Sequence, residues 1–167
     1  MKEISKSIII KLGAQRTAST PRANQTFLPA GCTLNKILID LAADFIEGIM
    51  FTRGAKIRIG VNTYHLDIIY GNAANDNNIH YRNQMYSGRM PNNTYKFGES
   101  PTGDQFCINC LTGEVYYWMH DATDGEIDTL LLAPCLDFFL KKLSADEATD
   151  IEALVKSKKI KRIDLDF

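Results

Sequence analysis

Residues 95–120 read YKFGESPTGDQFCINCLTGEVYYWMH, and the fold class turns on them. Phe106, Ile108 and Cys110 alternate with Gln105, Cys107, Asn109 and Leu111, the period of two that sends successive side chains to opposite faces of a strand. Thr112-Gly113 interrupts the alternation, and Gly113 suits a turn position that needs a positive φ. Val115, Tyr116, Tyr117 and Trp118 then resume it with β-branched and aromatic residues. The stretch predicts an antiparallel hairpin with an aromatic second strand. Such a hairpin brings Asp104, before its first strand, to the same end as His120, after its second.

Upstream, Leu34, Ile37, Leu38, Leu41, Phe45, Ile46 and Ile49 recur at helical spacing behind Thr33 as an N-cap, which predicts a helix over 34–51 with Gly54 as its stop. Ile57, Ile59 and Val61 alternate as a half-exposed strand, and Leu66 to Tyr70 continues the sheet. Residues 71–93 are dense in Gly, Asn, Asp and Pro and read as a long polar loop. Downstream, Pro134 opens a helix whose Leu136, Phe139, Leu140 and Leu143 share one face. Ser144 and Glu147 have capping-box spacing for a last helix over 145–157, and Ile160, Ile163, Leu165 and Phe167 suggest a closing strand. Residues 1–27 read as an extension, a short strand around Ile8–Ile10 followed by a flexible segment, and 28–167 as one domain. The expected class is α+β, an antiparallel-rich single sheet with helices packed against it.

The chain has 167 residues, 45% hydrophobic and 23% charged, with a formal net charge of −1. That balance offers no global basic field for nucleic acid or an acidic membrane. The apolar runs Ile8–Ile10 and Leu130–Ala133 fall far short of a membrane span, and no signal-peptide core is visible, so the expected compartment is the cytoplasm. Of the four cysteines, Cys107 and Cys110 have redox spacing, but both fall in a strand, where an offset of three sends them to opposite faces. Zinc would need two further ligands at suitable spacing. The cysteines therefore read as packed thiols, with no metal and no cofactor expected.

His65, His80 and His120 stand outside any nucleophile motif, and no residue is assigned a catalytic role. His120 shares a strand face with Tyr116 and Trp118 and reads as a hydrogen-bonded structural histidine; the competing reading is a hydrolase using it with Asp104 or Asp121. Asp104, Asp121, Asp124, Glu126 and Asp128 can form one negative surface that steers a basic partner, or an ordinary solvated turn. Asp76, Tyr81 and Tyr86 in the polar loop complete the candidate contact surface, the tyrosines because they commonly anchor interfaces.

Read together, Leu28-Pro29 before the helix ending near Gly54, Ile69-Tyr70-Gly71, Met90-Pro91, Phe97-Gly98, Gly103-Asp104, Thr112-Gly113-Glu114-Val115-Tyr116, Trp118-x-His120 and Leu136–Leu140 follow an order that resembles the SUKH superfamily. That group includes yeast cell-wall-assembly regulators and many bacterial toxin-immunity proteins. The resemblance covers about Leu28 to Leu143, and region 71–93, the long amino-terminal segment and Met119 depart from it. It implies structural roles for Leu28, Pro29, Gly54, Gly98, Gly103, Asp104, Gly113, Val115, Tyr116, Trp118 and His120. It also implies an immunity protein that neutralises a cognate toxin stoichiometrically, as in polymorphic and contact-dependent toxin systems, with a basic nuclease domain as the expected partner. No membrane or direct nucleic-acid partner is implied, and a weak homodimer is compatible with it. A regulatory scaffold module of the same fold is the second reading.

Overall fold

Strands Gln105–Asn109 and Val115–Trp118 form the expected hairpin, with Gln105 opposite Trp118 and Ile108 opposite Val115. Gly113 takes φ 77° in the connecting turn. In the computed structural model, which describes residues 3–14, 36–123 and 128–145, this hairpin is the fourth and fifth strands of a larger sheet. The chain runs α1 (Glu3–Lys11), α2 (Lys36–Asp44), β1 (Ile49–Ile59), β2 (Asn62–Ile69), α3 (Ile79–Met85), β3 (Thr94–Glu99), β4 (Gln105–Asn109), β5 (Val115–Trp118), β6 (Thr129–Ala133), α4 (Leu136–Lys142) and β7 (Ser144–Ala145). Among the described residues the strands form one seven-stranded sheet in the order β6-β5-β4-β3-β2-β1-β7, antiparallel throughout. The class is α+β.

The core gathers where α4 lies on the sheet. Leu136, Phe139 and Leu140 are fully buried, as their shared helical face requires. Phe139 meets Phe97 edge-on at 5.7 Å and Phe106 at 5.6 Å, and Phe106 meets Tyr117 at 5.2 Å. These tilted contacts are the arrangement that ring quadrupoles favour. A bulge in β3 between Lys96 and Gly98 delivers Phe97 into this cluster.

Several elements differ from their sequence reading. Ile8–Ile10 lies in helix α1, not a strand: Ile9 and Leu12 bury one face against the core while Ile10 stays exposed. Tertiary packing there overrides the β preference of the isoleucines. The helix read over 34–51 ends at Asp44, because Gly48 at φ 99° turns the chain into β1. Ile49 and Phe51 are then buried while Met50 is 63% exposed, a strand alternation. Gly54 accordingly does not stop a helix; it sits at φ 65° in the irregular stretch of β1 between Met50 and Ala55. Residues 71–93 are not all loop, since they contain α3. The last residue of the turn-like run Asn75–Asn78 is its N-cap, with the Asn78 side chain accepting from His80 N and Tyr81 N at 3.0 Å.

Leu130–Ala133, beyond the acidic connection, belongs to strand β6. Ser144 pairs in β7 with Lys56 where a helix cap was expected. Cys110 lies just beyond β4 and is disulfide-bonded, so the packed-thiol reading fails for it; Cys107 is a buried free thiol. The polar segment beyond Ala14, Leu28-Pro29, the helix and strand expected after Ala145, and Asp124 and Glu126 lie outside the described residues. No helix among the described residues is long and apolar enough to cross a membrane.

Two glycines test this geometry. A Cβ on Gly71 would lie 2.2 Å from both Gly48 N and Ile46 O, whereas one on Gly60 would meet open space at φ +59°. In urea unfolding, Gly71→Ala is expected to cost more than about 3 kcal/mol, and Gly60→Ala only about 1 kcal/mol.

Candidate functional site

The hairpin places Asp104 and His120 together at one end of the sheet. His120 Nδ1 stands 3.2 Å from Asp104 Oδ1, and the backbone N–H of His120 donates to the same oxygen at 3.4 Å. An ionised carboxylate only accepts, so Nδ1 carries the proton. The other oxygen accepts from Tyr117 Oη at 2.9 Å and Thr102 Oγ1 at 3.0 Å. Burial raises the Tyr117 phenol, and the Asp104 carboxylate adds to that rise. Gly103, at φ +91°, closes the bracket: a Cβ there would come within 3.2 Å of the His120 ring.

A second wall comes from α3, and Asn83 sets its position. The Asn83 side chain accepts from Lys96 N at 2.9 Å and donates to Lys96 O at 2.8 Å. It replaces the strand that β2 does not supply, since β2 pairs with β3 only at Gly98 and Glu99. Tyr86, the C-cap of α3, is thereby laid edge-on against Trp118 at 5.5 Å and His120 at 6.3 Å. Arg89 donates to His120 O at 3.1 Å and lies 5.8 Å over the Tyr86 ring.

Beneath Tyr86 lies a charge that the sequence reading did not single out. Lys96 is fully buried, and among the described residues its Nζ has no hydrogen-bond partner. The ammonium faces the Tyr86 ring at 3.7 Å and the Tyr70 ring at 5.8 Å. The nearby Glu99 carboxylate is engaged elsewhere, with Arg82 at 3.3 Å and with the Tyr70 hydroxyl. Tyr70 also contacts Gln105 Oε1 at 2.9 Å, and burial holds its phenol well above the ordinary range. Burial likewise brings Lys96 down from 10.5 to about 7.

Of the residues expected at a contact surface, the structure joins Tyr86, Asp104 and Asp121 around His120. Exposed Asp128 runs alongside, its carbonyl accepting from Met119 N at 2.7 Å. Asp76 and half-exposed Tyr81 instead stand toward the amino-terminal end of α3, where Arg82 Nε donates to Asp76 O at 2.7 Å. Arg89, Asn83 and Lys96 escaped the sequence reading because their neighbours depend on a helix that had read as loop. Asp104, His120 and Asp121 each offer a ligand atom within 4.8 Å of the others. A cation would have to displace the donors already on both Asp104 oxygens. As it stands, the arrangement is a hydrogen-bonded bracket roofed by aromatic rings, a surface built to be held in shape.

Two outcomes follow. Asp104→Asn and Tyr117→Phe are each expected to lower unfolding free energy by about 1–3 kcal/mol, with coupling of at least about 0.5 kcal/mol in the double-mutant cycle. Lys96 binds its proton more weakly folded than unfolded, so the unfolded chain holds more protons between about 7 and 10.5. Stability from this group is therefore lowest below that window and rises with pH across it. Denaturant titrations at several pH values are expected to show this rise in the wild type and its loss in Lys96→Met. The variant gains on the order of 3 kcal/mol at the acidic end.

Comparison with known proteins gives the site its context. A 107-residue stretch, 64% of the chain, is 30% identical to the SPbeta prophage-derived uncharacterized protein YokK of Bacillus subtilis (strain 168). The chain spans about half, 54%, of the length of that relative. No solved structure matches. The sequence profile of the SMI1 / KNR4 family (SUKH-1) matches residues 33–142, a span that runs from α2 through α4 and includes the bracket and its aromatic roof. The chain belongs to the SMI1 / KNR4 family (SUKH-1).

Proposed function

We propose that this protein is a cytoplasmic immunity protein that binds a cognate bacterial toxin and neutralises it by stoichiometric contact, without turnover. The observation that carries this reading is the family match across residues 33–142, since bacterial members of that group look like immunity factors. The site geometry supports binding over catalysis. Among the described residues, His120 contacts Asp104, Gly103, Tyr86 and Arg89, so its surroundings orient and shield it and place no serine or cysteine hydroxyl or thiol in line with it.

The contact face centres on Tyr86, with Asp121 and Asp128 as an exposed acidic rim and Tyr81 and Met85 as exposed anchors on α3. Tyrosine and methionine give large contact area, and the carboxylates steer a basic partner such as a nuclease domain. A regulatory scaffold module of the same fold would use the same face for a different protein.

The test begins with co-purification of the tagged protein from its native cells and mass spectrometry of what stays bound. The expected result is one near-stoichiometric protein that kills cells when expressed alone and is silenced by this chain. Against that partner, Asp121→Lys with Asp128→Lys is expected to slow association about tenfold or more at low salt and to flatten its salt dependence. Unchanged kinetics in the double variant would move the contact face elsewhere. Recovery of a non-toxic partner would favour the scaffold reading.

A further inference from the structure

Lys96 is an unusual group to bury at the base of a surface site. Its three N–H donors lose water and gain no acceptor among the described residues, and the face of the Tyr86 ring offsets only part of that cost. We propose that Lys96 is a proton-operated latch beneath Tyr86: with its amine neutral the ring stays seated on Trp118 and His120, and with its amine protonated the ring yields and lets water reach it.

Among the described residues Glu99 attracts the ammonium through space, but no carboxylate pairs with it directly. On its own strand β3, Glu99 is held by Arg82 and Tyr70, and Tyr95 is a phenol bonded to His80 Nδ1 at 2.9 Å. Across the sheet, Lys96 is paired with Cys107, whose thiol burial pushes up to about 12 and so keeps uncharged. From α3, Arg82 lies 5.4 Å over the Tyr70 ring and carries the same sign as Lys96, which adds repulsion. His120 and Arg89 stand against the Tyr86 ring and bring no negative charge to it.

Tyr86 is the part of this enclosure best placed to move. It is the C-cap of α3, only half-buried, and its ring is held by edge contacts and a cation–π contact. The chain just beyond it passes through exposed Ser87 and Gly88, with Gly88 at φ 82° in open space. The closed form binds fewer protons than the open one, so raising pH closes the latch and lowering pH opens it. Because burial places the Lys96 titration near 7, the device works around neutrality.

The latch does not depend on the partner's identity, and the protein carries its own reporter. Trp118 is the only tryptophan and lies 5.5 Å from the Tyr86 ring. Its fluorescence, followed on the whole folded chain from about pH 5 to about pH 9, is expected to show one transition near neutrality. Lys96→Met is expected to abolish it. In parallel, NMR of the wild type labelled at lysine 13Cε is expected to show one resonance titrating about three pH units below the others. The proposal is overturned if the fluorescence transition is absent or persists in Lys96→Met. It is equally overturned if every lysine resonance titrates near the ordinary 10.5. The NMR arm decides the question even if Lys96→Met does not fold.

Discussion

The structure depends on how β3 satisfies its backbone. A strand in the middle of a sheet needs partners on both sides, yet β2 reaches only its last two residues. Asn83 supplies what is missing at Lys96, accepting from the amide and donating to the carbonyl as a neighbouring strand would. Because a short helix has little stability of its own, this clamp and the buried Ile79 and His80 are what hold α3 in place. That amide side chain joins α3 to β3, and the contacts of Arg82 with Glu99 and of Tyr86 with Trp118 build on the placement. The same contact forces the Lys96 side chain under the helix, so the clamp and the buried charge are two results of one arrangement.

The sheet end and the helix serve different purposes at the site. Asp104 gathers Tyr117, Thr102 and His120 into a bracket whose shape follows from the register of β4 against β5. A carboxylate with acceptors filled on both oxygens fixes its surroundings and has little left for a substrate or ion. The helix side is looser, built from ring edges and a capping tyrosine, with an unpaired charge below. One rigid wall and one adjustable wall suit recognition of another protein, where a pre-shaped patch limits the entropy lost on docking.

The hairpin was legible because a period of two, an interrupting Gly and an aromatic strand all agree there, and that agreement also foretold the meeting of Asp104 and His120. The α4 face was legible for the same reason, its four leucine and phenylalanine positions recurring at helical spacing. Local signals failed where distant residues decide the outcome. The isoleucine run of α1 favours a strand by itself, and only packing makes it helical. The asparagine run before α3 carries turn chemistry in three residues and a helix cap in the fourth, and composition cannot separate them. Lys96, between Tyr95 and Phe97, looks like the outward member of an alternating strand. Its burial comes from the bulge and from α3, neither of which its own sequence neighbourhood encodes.

The order β6-β5-β4-β3-β2-β1-β7 has a kinetic consequence. From β1 to β6 every strand pairs with its sequence neighbour, so each pairing joins consecutive strands, the longest connection being the α3-bearing one between β2 and β3. The exception is β7, where Ser144 reaches Lys56 across a separation of 88 positions. A chain built this way can zip outward from its central aromatic hairpin, with most of its sheet assembled before the costly long-range contact is attempted. The two-residue β7 then acts as a late clasp on β1, covering its edge at Ala55 and Lys56, where free backbone groups would otherwise invite a foreign strand.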